Sequence, residues 1–351
     1  MKVLVTGAAG FIGFYTALRL AQRGDEVVGL DSLNDYYEPE LKYARLTEAG
    51  IGAEAQAPGK ITASAKFPNY RFTRMELEER EALEKLFEAE RFDAVCHLAA
   101  QAGVRYSLAN PHAYAQSNLC GFLNVLEAVR KSGTTNLCYA SSSSVYGLNT
   151  HQPFSTEDAV NHPVSLYAAT KKANELMAHA YSHLYAIRAT GLRFFTVYGP
   201  WGRPDMAYFL FTKAVFEGKP ITINNFGDMK RDFTYIDDIV EGVVRVIDAP
   251  AEPDAEWNEN SPCPSSSSSP WRIYNIGRGK PEGLMNLVEA IEAETGKKAE
   301  KILAPIPAGD VPQTWADTQN LETRFGYTPK VDIRTGIGHF VRWYRKMYGE
   351  K

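Results

Sequence analysis

The chain has 351 residues, of which 44% are hydrophobic and 23% charged, and it carries a formal net charge of −4. That length exceeds one small core and suits a large α/β domain with a smaller companion, while the acidic balance and the lack of a long basic block argue against nucleic acid as a partner. No apolar run approaches the ~18–20 residues of a membrane span, and Met1-Lys2 leads straight into a strand without a signal-peptide pattern, so a cytoplasmic soluble protein with no membrane partner is expected. Cys96, Cys120, Cys138 and Cys263 are too scattered for a metal or redox motif; they read as reduced thiols, three of them in apolar surroundings and buried.

Lys2 to Thr6 reads as a short buried strand, followed by Gly7, Gly10 and Gly13 and a helical pattern through Arg23. Glycines here permit a tight turn and let the backbone approach a pyrophosphate at a helix N-terminus. The spacing is G-x-x-G-x-x-G, one residue longer in its first gap than the commoner dinucleotide fingerprint. A second strand, EVVGLD, ends at Asp31. An acid there hydrogen-bonds adenosine ribose hydroxyls and repels a 2′-phosphate, which favours NAD over NADP.

Residues 32–69 break the rhythm. SLNDYYEPELK reads as a loop, and the small, polar stretch after it as a mobile insertion or a poorly ordered helical excursion. Tyr70 to Met75 returns to a strand, Glu76-Leu77 falls where a strand end meets adenine, and Leu77 to Glu90 is helical. DAVCHLAAQAG is an apolar strand ending in small residues, which leave room for a cofactor to pass. Pro111 to Lys131 reads as one long helix. Asn118 on its apolar face needs a partner, so it is either a satisfied core amide or part of the site.

NLCYASSSSVYG is a strand running into four serines. Such a cluster suits a plain turn, but at the carboxyl end of a parallel strand its side chains project into the ligand crevice. The helix over 167–185 then carries Tyr167 and Lys171 four residues apart, hence on one face, with Ser142 lying 25 residues upstream of Tyr167 (167 − 142). An ammonium beside a phenol favours the phenolate, so a tyrosine of ordinary pKa about 10 becomes a base near neutrality. A shift of about three units takes roughly 4 kcal/mol, more than one lysine supplies, and a cationic cofactor ring adds to it. The same pair also describes a snorkelling lysine beside a packed ring. TGLRFFTVYGP completes a series of βαβ units with their loops at one edge: an α/β, doubly wound parallel (Rossmann-type) sheet.

After Pro200 come a loop and helix, a short strand PITINNFG, and a strand–helix pair RDFTYIDDIVEGVVRVIDAP that is expected to return to the first domain. Residues 251–271, including SPCPSSSSSPW, read as an exposed, disordered low-complexity loop. IYNIG is a strand, Leu284 to Thr295 a helix, and the chain ends in a helix from Arg334 to Tyr348. The expected division is a cofactor domain of residues 1–198, rejoined by 231–250 and 272–277, and a smaller C-terminal substrate lobe of 199–230 and 278–351.

Taken together these residues resemble the extended short-chain dehydrogenase/reductase family of nucleotide-sugar epimerases and dehydratases, along nearly the whole chain. The marks are TGAAGFIG, Asp31, HLAAQA at 97–102, SSVYG at 143–147, YAATK at 167–171, RFFTVYGP at 193–200 and RDFTYIDD at 231–238, specific jointly though not singly. Within the family, QAGVRYSLANPHAY, YGPWGRPDMA, GDMKRDFTYIDDIVEG and GDVPQTWADT look most like the UDP-glucuronate 4-epimerases.

The resemblance implies NAD on the larger domain, a UDP-sugar held between domains, and epimerisation at carbon 4 through a 4-keto sugar. Tyr167 would be the acid/base, Lys171 would lower its pKa and bind the nicotinamide ribose, and Ser142 would hydrogen-bond the reacting hydroxyl. Gly7, Gly10, Phe11, Ile12 and Gly13 would hold the pyrophosphate, and Asp31, Ser32 and Asn34 the adenosine ribose. Glu76, Leu77, Leu98, Ala99, Ala100 and Gln101 would line the cofactor. The substrate set implied is Arg105, Asn118, Ser142, Ser143, Ser144, Thr196, Arg203, Arg231 and Asp310, with Arg231 on the phosphates. Three positions depart from family patterns: Glu76 where Asp is usual, Thr196 where UDP-galactose epimerases have Asn, and Pro307 where they have Arg. Phosphate binding then rests more on Arg231 and Arg203. A homodimer formed through the helices near 112–131 and 167–185 is also implied. The rival readings are a UDP-glucuronate decarboxylase, a UDP-glucose/galactose 4-epimerase, and an NAD-sensing binding protein without catalysis.

Overall fold

The computed structural model describes residues 1–307 and 310–350. Its first elements are β1 (Lys2–Thr6), α1 (Phe11–Arg23), β2 (Glu26–Asp31), α2 (Pro39–Glu48), β3 (Ile61–Ala63), β4 (Tyr70–Arg74) and α3 (Arg80–Glu90). Next come β5 (Ala94–His97), α4 (Tyr106–Ala109), α5 (Pro111–Tyr114), α6 (Phe122–Ser132), β6 (Asn136–Ser142), α7 (Leu166–Tyr185) and β7 (Arg188–Phe194). The chain continues with β8 (Thr196–Tyr198), α8 (Ala207–Phe216), β9 (Ile221–Ile223), β10 (Lys230–Tyr235) and α9 (Ile236–Asp248). Last are β11 (Trp271–Ile276), β12 (Pro281–Gly283), α10 (Leu284–Thr295), β13 (Lys301–Leu303), α11 (Gln319–Phe325) and α12 (Ile333–Tyr348).

Two compact units emerge. The first holds Met1–Thr150, Thr156–Phe194 and Val240–Asn275; the second holds His151–Ser155, Phe195–Ile239 and Ile276–Lys351. The first is built on an eight-stranded sheet of order β11-β7-β6-β5-β1-β2-β4-β3. Its inner pairs, β2–β4, β1–β2, β1–β5, β5–β6 and β6–β7, are all parallel. Strands such as VLV at 3–5 and AVC at 94–96 are fully buried because helices cover both faces. A parallel sheet sends every strand out at the same edge, and that edge gathers the candidate site residues of this unit. No helix among the described residues is long and apolar enough to cross a membrane.

The second unit carries a three-stranded sheet of order β12-β10-β8 and a two-stranded sheet β13-β9. Here the expected boundary is corrected. β8 and β10 pair in parallel, with Thr196 opposite Phe233, so 196–198 and 230–235 belong to the small sheet and not to the large one. Asp232, fully buried, explains why the loops gather there: its carboxylate accepts the backbone N–H groups of Arg278 (2.8 Å), Gly279 (3.0 Å) and Ala316 (3.1 Å).

Other expectations also change. Residues 32–69 are not simply loop: they supply α2 and the antiparallel edge strand β3, and α2 turns Lys42 and Arg45 inward, both buried. α3 starts at Arg80, three residues late, because the Leu77 carbonyl is taken by the Asn124 amide (2.9 Å). The long helix over 111–131 is interrupted by a π-helical segment, Ala115–Gly121. Of the thiols, only Cys96 and Cys138 are buried; Cys120 is exposed and Cys263 half-buried.

The largest correction concerns 251–271. Its first part is on the surface, but Ser265, Ser266, Ser267 and Ser269 are buried. Ser267 and Ser269 pair with His179 (2.9 Å) and His183 (3.2 Å) of α7, and Trp271, also buried, bonds the Tyr139 hydroxyl through its indole N–H (3.2 Å). Polar composition did not prevent burial because the helix supplies partners for the Ser267 and Ser269 hydroxyls, and Cys263 meets that of Ser265 (3.4 Å). Replacing Trp271 by Ala should cost about 3–5 kcal/mol in a denaturant titration, as for large-to-small core changes. Limited proteolysis should then cut between 251 and 270, where the wild type resists beyond residue 264; equal cutting patterns would show that this segment is not anchored by the indole.

Candidate active site

The cofactor end is built where β1 leaves the sheet. Gly7 has φ +72°, and a Cβ there would lie 2.8 Å from the backbone nitrogen of Ala99, so the turn is pressed against the segment after β5. A Cβ on Gly13 would enter the Gly7 carbonyl, which fixes how closely α1 crosses the turn. α1 begins at Gly10 without a side-chain cap. Its first N–H groups are therefore open to an anion, and the helix dipole favours one. Phe11 is buried and Ile12 half-buried beside them. A close glycine cradle ending in an uncapped helix fits a dinucleotide pyrophosphate.

Asp31, at the end of β2, is buried, and each of its oxygens is held from the backbone, by Ala9 N–H (3.1 Å) and Leu33 N–H (2.9 Å). A carboxylate offers about four lone-pair sites, so acceptor capacity remains for ribose hydroxyls. Ser32 gives its carbonyl to Arg74 (3.1 Å). The Asn34 side-chain oxygen is bound by Lys42 Nζ (2.6 Å). Lys42 escaped the sequence reading, as did Arg45, whose guanidinium holds the Ala9 carbonyl (2.8 Å) and the Tyr37 hydroxyl (2.7 Å) beneath the glycine turn. Their i,i+3 spacing was the available signal, hidden because the segment was read as loop. Burial lowers the Lys42 pKa, with Asp31 pulling it back up. Glu76 follows β4 and is exposed; Leu77 is buried against Gly121; Leu98, Ala99 and Ala100 are half-buried after β5.

The reacting end joins β6 to α7. Ser165 caps α7 by accepting the Ala168 N–H (3.2 Å). Only two residues separate α7 from β7, whose Arg188 pairs with Asn136 at the start of β6, so α7 runs antiparallel to β6. Lys171, 2% exposed, donates from Nζ to the Ala140 carbonyl of β6 (2.8 Å). Moving one turn back along α7, about 6 Å, reaches Tyr167; moving two residues forward along β6, about 6.6 Å, reaches Ser142. Tyr167 and Ser142 thus reach one level of the sheet edge, one step beyond Lys171. Ser142 is buried and accepts the Ser144 N–H (3.1 Å), leaving its own proton to donate, while Ser143 and Ser144 are half-buried in the turn that follows. Tyr167 is half-buried, its ring edge-on to Tyr114 (6.0 Å), and Tyr114 is fixed by donating to the Ala102 carbonyl (2.7 Å).

Burial pushes the Lys171 pKa down to about 8. Burial and the Lys171 charge hold His97 down to about 3, hence neutral. The Thr6 hydroxyl accepts the Ala99 N–H (3.1 Å) and meets His97 Nδ1 (2.9 Å). One cation therefore survives in this corner, beside the phenol.

Asn118 is corrected. It is 2% exposed, its Oδ1 accepts the Gln101 N–H (2.8 Å), and its Nδ2 donates to the Gln101 carbonyl and Thr170 Oγ1 (both 3.1 Å). Both amide protons are taken, and the side chain ties the segment after β5 to α7, so Asn118 sits as a satisfied core amide that positions the site. Gln101, buried beside it, contributes backbone to that link. Also missed was Glu175, two turns beyond Tyr167 on the same face, which pairs with Arg193 of β7 (2.9 and 3.0 Å). The stripe Tyr167, Lys171, Glu175 at i, i+4, i+8 was legible as one helix face.

Arg105 is exposed at the start of α4. In the second unit, Thr196 opens β8 and is half-buried. Arg231 of β10 donates to Asp310 (2.6 Å) and to the Val311 and Pro312 carbonyls (2.6 and 3.0 Å). Arg203 makes a forked pair with Asp205 (3.0 and 2.5 Å). Both expected anion-binding arginines thus already carry a carboxylate, and Asp310 is a counter-ion to Arg231.

Comparison with known proteins agrees with this geometry. The family model described as NAD dependent epimerase/dehydratase family matches residues 3–277. The chain is 51% identical to Protein CapI of Staphylococcus aureus over 99% of both chains. It is 45% identical to UDP-glucuronate 4-epimerase 1 of Arabidopsis thaliana, over 99% of this chain and 78% of that one. Among solved structures it is similar to UDP-glucuronic acid 4-epimerase from Bacillus cereus in complex with UDP-glucuronic acid and NAD, with 31% identity, 99% and 100% of the chains covered and a TM-score of 0.82. The chain belongs to the NAD dependent epimerase/dehydratase family.

Proposed function

We propose that this protein catalyses the NAD-dependent epimerisation of UDP-glucuronate to UDP-galacturonate at carbon 4. The observation that carries this reading is the anchoring of Lys171 on the Ala140 carbonyl, which brings Tyr167 level with Ser142 on the sheet edge that also bears the glycine turn and Asp31. The names of the relatives support the choice of substrate. NAD, when bound, supplies reversible two-electron oxidation of the carbon-4 alcohol. Tyr167, its phenolate favoured by the Lys171 charge together with the cationic ring of the bound cofactor, removes the proton from the sugar oxygen and returns it once the 4-keto ring has presented its other face. The Ser142 hydroxyl hydrogen-bonds the same oxygen. Asp31 selects NAD by repelling a 2′-phosphate.

NMR of a reaction started from UDP-glucuronate should show UDP-galacturonate with little UDP-pentose. Tyr167→Phe should lower turnover by about 10²–10⁴-fold, the range for one positioned acid/base, without loss of fold. UDP-xylose as the main wild-type product would replace this reading by decarboxylation, and more than a tenth of wild-type turnover in the variant would remove Tyr167 from its role.

Lys171 links catalysis to stability. Keeping it charged near pH 7, when burial has moved its pKa from 10.5 to about 8, costs the fold roughly 3 kcal/mol. Lys171→Met relieves that cost and leaves the Ala140 carbonyl unpaired, at ~1 kcal/mol. Cofactor-stripped Lys171→Met should thus be more stable than wild type at pH 7 by about 2 kcal/mol, and inactive. The unfolded chain binds the extra proton between pH 8 and 10.5, so wild-type stability from this group rises across that window and the gap closes. Denaturation of both proteins at pH 7 and pH 10 tests this; a variant less stable at pH 7 would contradict it.

The proposal includes a homodimer through α6 and α7. Leu123, Leu176, Leu184 and Tyr185 on these helices are 42%, 60%, 65% and 46% exposed, an apolar stripe suited to helix-on-helix packing. Light scattering should give twice the 39.0 kDa chain mass, and Leu176→Asp should give monomer. A monomeric wild type would end the dimer reading.

A further inference from the structure

In the large sheet β1 lies between β5 and β2, and all three strands are parallel. The segments leaving β2 and β5 therefore stand on either side of the glycine turn that leaves β1. These two segments meet. The Tyr36 ring, from the β2 side, packs on Tyr106, from the β5 side, with centroids 4.9 Å apart and planes at 52°. Gly103 has φ +99°, and a Cβ there would collide with the Tyr36 hydroxyl, so the β5 segment is shaped around that ring. The contact continues inward: Tyr106 touches Tyr114 (6.3 Å), and Tyr114 lies edge-on to Tyr167 (6.0 Å). An unbroken aromatic path thus runs from the ribose-side loop, across the exit of β1, to the reacting tyrosine.

We propose that Tyr36 and Tyr106 form a clasp over the dinucleotide groove, which retains NAD as a prosthetic group that does not exchange between turnovers. The inference rests on the NAD reading above. Two loops joined by packed, tilted rings must part before a ligand lying along the glycine turn can leave, whereas the chemistry, which regenerates NAD in each cycle, never requires them to part. Neither ring carries out a proton transfer, so the clasp sets residence time and not the rate of the chemical step. The ring matters here and not the phenol.

The test is cofactor retention. Wild type, Tyr36→Ala, Tyr106→Ala and Tyr36→Phe are gel-filtered, acid-extracted and assayed for NAD, and their exchange with isotopically labelled NAD is timed. Wild type and Tyr36→Phe should keep close to one NAD per chain and exchange slowly. Each alanine variant should exchange about two- to tenfold faster, the scale expected for losing one packed aromatic contact, with kcat at saturating NAD within about twofold of wild type. Alanine variants that keep NAD and exchange at the wild-type rate overturn the clasp alone, as does wild-type NAD that exchanges within a turnover. A loss of kcat that saturating NAD does not restore also overturns it. A wild type that contains no NAD and shows no thermal shift with added NAD overturns the cofactor reading, and the clasp with it.

Discussion

The ion pair between Glu175 and Arg193 is the contact on which the catalytic geometry depends. Both side chains are fully buried, and they meet through two hydrogen bonds of 2.9 and 3.0 Å. Burial alone would raise the Glu175 pKa; the Arg193 charge and hydrogen bonds, with Ser141 and Lys172, outweigh it and keep the carboxylate ionised. The same carboxylate accepts from Ser141 (2.7 Å), the residue before Ser142, while Arg193 lies over the Tyr146 ring (4.9 Å) in the turn after Ser142. One buried pair therefore locks α7 to β6 and β7 at once. Buried ion pairs seldom add net stability, because desolvation offsets the attraction. What this one supplies is register: any slip of α7 along the sheet would separate two desolvated charges, so Lys171 stays at Ala140 and Tyr167 at the level of Ser142.

Within that frame the site keeps one charge deliberately uncomfortable. Lys171 donates to a carbonyl and not to a carboxylate, and burial brings its pKa to about 8. A carboxylate partner would restore an ordinary pKa but would also screen the cation from the neighbouring phenol. His97, the nearby candidate for a second positive charge, is held neutral by the same burial. The strain is an unfavourable electrostatic energy that a phenolate relieves, so the fold is least at ease in the state without it.

Legibility from sequence followed range. The β1–turn–α1 unit, Asp31, and the Tyr167–Lys171 pair are local: glycine sterics, strand ends and the i,i+4 rule determine them within a few residues. Asn118 admits two readings from sequence because a π segment has no reliable sequence mark, and the structure places it as a buried, hydrogen-bonded core amide. The segment 251–271 differs from its expectation because composition reports the solvation of an isolated chain; His179, His183 and Tyr139, distant in sequence, give partners to the buried Ser267, Ser269 and Trp271. β10 was placed in the wrong sheet since an alternating strand pattern does not say which neighbour it will pair with.

The two kinds of proposed anion site contrast in how their donors are held in place. The α1 N-terminus offers partial charges on backbone groups whose geometry the glycine turn already dictates, so no side chain must be ordered when an anion arrives. A lone arginine in the second unit would be costlier to keep: Arg231 is largely buried, and burial pulls its pKa down. Asp310 offsets this, as Asp205 does for Arg203. Each arginine is thereby held in a set orientation, and an incoming anion gains only the difference between its own contacts and those of the resident carboxylate. Affinity at such a site is tempered, while discrimination rises, since only an anion that matches the fork better than an aspartate competes.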